Sequence, residues 1–293
     1  MVSFELNTMN MLRIVFSGLA LVSAFSFFTS CGNESSNSGQ GKGEVNYDTV
    51  TSTVDDLKQF KYDLTISNIP IPFDILATLS SSQALFQKSL LNPPDNLVKY
   101  SESHSKAINL GIFGADMAYV ICFERYQEVT PYLKCTKKLA DELGIPIAFD
   151  QKALASFERN KSNKDSLEKI IFSSYAEVDK TLKSNERIGL ASLVVTGGWL
   201  EGLYTTVQTA LEGKGEIGNK LNVKILQQRS HLNALLDLLG EFKSEPFFAA
   251  LIEDLQQIKN VYGSLSDKNK ITRNELQTLG QKVELIRNKI IRG

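Results

Sequence analysis

Two carboxylates, Asp116 and Glu201, sit among residues that are otherwise apolar or small, the first after Gly111-Ile112-Phe113-Gly114-Ala115 and the second after Val194-Val195-Thr196-Gly197-Gly198-Trp199-Leu200. Withdrawal from water raises the pKa of a carboxyl group, so such a pair could act as acid and base or anchor a ligand. Tyr119, Trp199 and Tyr204 stand close by in sequence, and with the small residues they outline a candidate slot for an apolar ligand. The structural alternative is that both acids bond to tyrosine hydroxyls, satisfy each other, or turn outward at helix edges. The residues favour the structural alternative, and no catalytic residue is assigned. Catalysis by the pair requires carboxyls within roughly 10 Å, the separation that paired-carboxylate hydrolysis tolerates.

Other chemistry is sparse. His104 and His231 lie far apart, and neither has a partner at zinc-protease spacing. No glycine-rich phosphate loop follows a strand pattern, and no Gly-x-Ser-x-Gly elbow occurs, so neither a metal site nor a cofactor is expected. Cys122 and Cys135 flank the turn Gln127–Pro131 and could pair as a disulfide in an oxidising compartment. The residues favour the alternative, two buried thiols. No base lies near either one.

The elements that must position these groups read as helices. Leu276, Leu279, Val283, Ile286 and Ile290 recur at three and four, and Thr272 with Glu275 forms a capping box ahead of them. The same rhythm runs through Leu221–Phe242, through Phe248–Tyr262 after Pro246, and through Leu167–Leu182. Stops fall at Gly144-Ile145-Pro146, Lys183-Ser184-Asn185 and Gly213-Lys214-Gly215. Only Phe60–Ile69 could be a strand, or else an extended lead-in. The pattern predicts an all-α fold: a multi-helix antiparallel bundle of about eight or nine helices, in a single domain over residues 54–293.

Ile188–Leu200 is apolar around its whole circumference, which predicts a buried central helix. Gly197 and Gly198 inside it cost about 1 kcal/mol each against alanine, and close approach of a second backbone is the plain reason to keep them. Gly111 and Gly114 offer a matching small-residue face, so the helices carrying these two glycine pairs are expected to cross there.

Residues 1–30 have the layout of a secretory signal: Arg13, then the apolar run Ile14–Phe28, then Thr29-Ser30 before Cys31. Phe28-Thr29-Ser30-Cys31 resembles the lipobox of bacterial lipoproteins, with Phe28 in place of the usual leucine. The resemblance implies acylation of Cys31 and a membrane anchor. Gly32 after the cysteine resembles lipoproteins sent to the outer membrane, and Asn33-Glu34-Ser35 lacks the acidic run of surface-exported forms, which points to the periplasmic side. Residues 31–53 are rich in Ser, Gly, Asn and Thr and read as a flexible tether reaching ~25 Å.

A net charge of −1 argues against a general nucleic-acid binder. Basic residues gather late, at Lys268, Lys270, Arg273, Lys282, Arg287, Lys289 and Arg292. Solvated helix faces account for them more simply than contact with anionic lipid.

Ser105–Gly114 with Ala115-Asp116-Met117-Ala118-Tyr119, Leu133–Gly144 and Ala191–Tyr204 together resemble a family of helical lipoproteins from Bacteroidota. That resemblance implies a helical envelope domain and brings no catalytic residues with it. Three functions follow as expectations. The first is a non-catalytic binding or scaffolding domain with a protein partner. The second is a carrier or sensor with an apolar pocket near Trp199, and the third is an enzyme using Asp116 and Glu201.

Overall fold

The computed structural model describes residues 84–293, except 161, 214 and 215, together with residues 59, 62, 63, 76, 78, 79, 81 and 82. All of these belong to one compact unit, Thr51–Gly293. The signal segment, Cys31 and the whole of the tether lie outside the described residues.

The fold is all-α. Among the described residues eight α-helices follow one another: α1 (Ser103–Cys122), α2 (Val129–Glu142), α3 (Gln151–Arg159), α4 (Lys164–Ser184), α5 (Ile188–Glu212), α6 (Glu216–Leu239), α7 (Pro246–Gly263) and α8 (Arg273–Ile291). A strap of residues 84–102, built on the short 3-10 turns Lys88–Leu90 and Pro94–Lys99, leads into α1. Tyr62 and Asp63 are helical. Phe60–Ile69 is therefore not a strand at these positions, where helical hydrogen bonding overrides a β-prone composition.

The helices begin and end where local chemistry permits. Asp150 caps α3 by accepting the Ala153 N–H at 2.8 Å, and Asn163 caps α4 by accepting that of Ser166 at 3.0 Å. At α8 the Thr272 hydroxyl accepts the Glu275 N–H while Glu275 accepts the Thr272 N–H at 2.8 Å. The Glu275 carboxylate also accepts the Ser266 N–H, and these bonds hold its pKa down to about 2. α2 closes on Gly144, whose φ of +73° lets Ile145 N–H reach back to the Ala140 carbonyl. α1 and α4 close in the same way on Glu124 and Glu186, with φ of 57° and 56°, where a side chain is disfavoured.

α5 is the centre, packing against α1, α4, α6 and α8. Ile108 of α1 faces Gly197, and Gly111 faces Val194 and Gly198, where the two helices cross. His104 and Gly189 near their N-terminal ends both meet Phe248, and Asp116 lies beside Glu201 further along, so α1 and α5 run in the same general direction. α8 runs antiparallel to α5, with Gly280 against Leu211 and Val207 at one end and Arg287 on Glu201 at the other. Ser192, Thr196, Thr206 and Thr209 are buried on α5, and each hydroxyl donates to the carbonyl four residues back at 2.7–2.8 Å. These polar side chains thus find partners within their own helix. Among the described residues no helix is long and apolar enough to cross a membrane.

The glycine positions divide into two uses. A Cβ on Gly197 would lie 1.9 Å from the Ile108 carbonyl oxygen, and one on Gly111 would lie 1.9 Å from that of Val194. Gly198 supplies the backbone nitrogen that Gly111 approaches. Gly114 differs from the sequence expectation: it makes room for Tyr175 of α4, whose hydroxyl donates to the Leu110 carbonyl at 2.8 Å.

Candidate functional site

The polar centre of the molecule is formed by Asp116 of α1, Glu201 of α5 and Arg287 of α8. Both acids are 0% exposed and the arginine is 4% exposed. Arg287 forks onto Glu201: Nε donates to Oε2 at 2.9 Å and Nη2 to Oε1 at 2.6 Å. Nη2 also donates to the Leu90 carbonyl at 2.9 Å, and the guanidinium lies over the Tyr204 ring, 4.6 Å from its centroid. Such a bidentate pair fixes orientation as well as charge. Burial alone would weaken the guanidinium's hold on its proton. The Glu201 carboxylate strengthens that hold by more, so Arg287 stays charged.

Asp116 has a different setting. Its Oδ2 accepts the Asn92 backbone N–H at 3.1 Å. Its Oδ1 is buried with no donor facing it, and its carboxyl lies within hydrogen-bonding reach of that of Glu201. Burial first, then the neighbouring Glu201 charge, push the Asp116 pKa well above its ordinary value, and Arg287 offsets only part of this. Asn92 continues the network: its Nδ2 donates to the Tyr100 hydroxyl at 3.0 Å, and that hydroxyl donates to the Ile291 carbonyl at 3.1 Å.

The five residues of the sequence-predicted slot fall into separate environments. Asp116, Glu201 and Tyr204 meet at Arg287. Trp199 points to α6, its indole N–H donating to Gln228 Oε1 at 3.0 Å with the ring 5% exposed. Tyr119 packs between Phe86 and Phe123, and its hydroxyl accepts the Gln87 N–H at 3.1 Å. Burial pushes its pKa up to about 12. What was expected as one slot is three packed contacts.

Arg287, Asn92 and Tyr100 were not anticipated as members of the centre. In sequence Arg287 joins a run of basic residues that reads as solvent-facing, and the structure corrects this by burying it against Glu201. The signal was present in the spacing Leu276, Gly280, Val283, Arg287, Ile291, which puts the arginine on a buried stripe of α8. Much of the rest of that basic run is also engaged within the molecule. Lys289 pairs with Asp254 at 2.6 Å, Lys282 donates to Gln257 at 2.9 Å, and Arg273 donates to the Leu211 carbonyl at 2.6 Å.

Cys122 and Cys135 are both buried and unbonded to each other, so the disulfide alternative is not realised. Cys122 ends α1, while the Cys135 thiol faces the Pro94 carbonyl at 3.8 Å. Burial pushes the two thiols up to about 12 and about 11, far from the thiolate form needed for exchange. His104 stacks on Phe247 and pairs with Glu245 at 3.2 Å, and His231 Nδ1 meets Gln228 Oε1 at 3.1 Å. Among the described residues no group of three or more His, Cys, Asp or Glu could hold a metal ion.

Comparison with protein-family models, curated proteins and solved structures finds no match to this chain. Chemically, the buried centre can hold one proton and one ion pair; both carboxyls are sealed from solvent. Among the described residues an open depression of about 560 Å³ along the outer face of α8 is lined by Gln281, Glu284, Leu285, Asn288, Lys289 and Arg292. The Asp116–Glu201–Arg287 centre does not open into it.

Proposed function

We propose that this chain is a lipid-anchored envelope protein whose helical domain is a non-catalytic binding or scaffolding module, held at the outer membrane and facing the periplasm. The observation that carries the reading is Cys31, placed after Ile14–Phe28 and Thr29-Ser30 and ahead of a polar tether. Stable anchoring takes more than one acyl chain, each buried CH₂ adding ~0.8 kcal/mol, and a diacylated cysteine supplies that. The resemblance to helical lipoproteins of Bacteroidota belongs to the same proposal.

The non-catalytic part rests on the use to which the reactive groups are put. Glu201 is committed to Arg287, Asp116 lies under the strap, and both thiols are held protonated. Trp199 is bonded to Gln228 rather than presented to a ligand. A folded body with its polar chemistry turned inward offers partners its outer helix faces.

The test is fractionation of the native host carrying wild-type chain or Cys31→Ser. Wild type incorporates labelled fatty acid and sediments with membranes; the variant loses the label and is released. A variant that remains membrane-bound, or a wild type that is never acylated, overturns the anchor. Crosslinking in intact cells then addresses the module: discrete partner bands through the helical domain support it, and turnover of any small substrate that Asp116→Asn abolishes contradicts it.

A further inference from the structure

We propose that Asp116 and Glu201 hold one shared proton beneath the strap of residues 84–102, and that this proton latches the strap closed.

Charge and hydrogen bonding both require the proton. Two ionised carboxylates beside one guanidinium would leave an uncompensated negative charge in a sealed interior, which is among the costliest arrangements a fold can contain. The Arg287 fork is already spent on both oxygens of Glu201. Asp116 Oδ1, fully buried and turned to no donor, is the one acid oxygen of the cluster without a partner. A proton on that oxygen, donated toward Glu201, satisfies it and brings the cluster to neutrality.

Among the described residues the groups that face Asp116 supply no second cation. The groups coupled to Asp116 are Tyr119 on its own helix, Tyr132 and Cys135 on α2, and Tyr175 on α4. From α5 comes Tyr204, which also senses Glu284 of α8, and from the strap comes Tyr100. The phenols and the thiol are neutral at physiological pH, and Glu284 is a further acid. Among the described residues Arg287 is the positive charge that acts on Asp116.

The strap is the cover that this proton secures. Its main chain touches the cluster twice, through the Asn92 N–H on Asp116 and through the Leu90 carbonyl on Arg287. Its own secondary structure is two short 3-10 turns, whose hydrogen bonds are poorer than those of an α-helix. Loss of the proton sets two carboxylates against each other in a medium of low dielectric. Water relieves that repulsion, and the strap is the element that opens at least cost.

The experiment uses the intact chain. In wild type, infrared difference spectra or carboxyl ¹³C NMR show a protonated aspartic acid at neutral pH, and Asp116→Asn removes it. Amide exchange over residues 88–100, corrected for its intrinsic pH dependence, reports strap opening. Between the ordinary carboxyl pKa and the raised value of the closed state, where opening releases the proton, wild type opens up to about tenfold more per pH unit, the limit for linkage to a single site, and the rise levels off above that range. Asp116→Asn, whose amide can donate to Glu201 at every pH, shows no such rise. Tyr100→Phe loosens the strap at all pH values and keeps the wild-type slope. Absence of a protonated carboxyl in wild type at neutral pH overturns the proposal, as does an equal pH dependence in Asp116→Asn. Should that variant fail to fold, the wild-type titration by itself decides the presence of the proton.

Discussion

Two contacts that α5 makes with its neighbours rest on different physics. Toward α1 the contact is dry and close: Gly197 and Gly111 let two backbones approach until a single Cβ on either would strike a carbonyl oxygen. Toward α8 the contact is an ion pair, with Glu201 and Arg287 sealed from water beside a second acid. The first face is held by van der Waals contact and the absence of side chains, and tolerates no added atom. The second is held by complementary charge, and tolerates no missing one.

The largest expected effect follows from breaking the charged face on one side. Arg287→Met leaves Glu201 buried without its guanidinium and should cost about 3–5 kcal/mol in denaturant-induced unfolding. Glu201→Gln should fall in the same range, because it strands the guanidinium instead. On the dry face, Gly197→Ala gains ~1 kcal/mol of helix propensity and loses more by forcing α1 and α5 apart. The net loss should be about 1–3 kcal/mol, as for other overpacked cores. A loss shared by Gly111→Ala, with no change from an alanine at the exposed Gly263, would locate the strain in the crossing.

Asp116→Asn separates the two acids of the charged face. The pKa of Asp116 in the folded chain is raised above its ordinary 3.8, so the native state retains a proton that the unfolded chain gives up. The stability this provides is complete below the unfolded value and is lost as pH rises through the folded one. Wild type should therefore lose stability relative to Asp116→Asn as pH is raised from 4, as read by the difference between their urea midpoints. The smallest effect concerns neither face: Glu186→Gly relieves a left-handed residue at the end of α4 and should raise stability by up to ~1 kcal/mol, measured by thermal unfolding.

The two faces also differ in how far they could be read in advance. Paired glycines inside an otherwise apolar helix are conspicuous, since they weaken a helix unless something approaches them, and their partner Gly111 carried the same signature. Helix limits were legible for a similar reason: Thr272 with Glu275, and Gly144, act through hydrogen bonds to residues a few positions away. The charged face depends on residues far apart in the chain, Arg287 being 86 positions from Glu201. An arginine among other basic residues near a helix end has the local pattern of a solvated face, and nothing within a few residues reveals an acid waiting in the core. Gly114 was misassigned because a small residue shows that something approaches, but not what; here it is the hydroxyl of Tyr175. The strap was illegible altogether, since its 3-10 turns carry no repeating apolar period.

Glu201 and Arg287 form one interdependent unit at the heart of the fold, and a double-mutant cycle measures that directly. Glu201→Leu, Arg287→Met and the combined variant should be compared by urea unfolding at pH 6. Each single replacement should cost about 3–5 kcal/mol and the double far less than their sum, because the pair removed together leaves no stranded charge. Losses that simply add would contradict a coupled buried pair, and with it the reading of this cluster as the structural centre of the molecule.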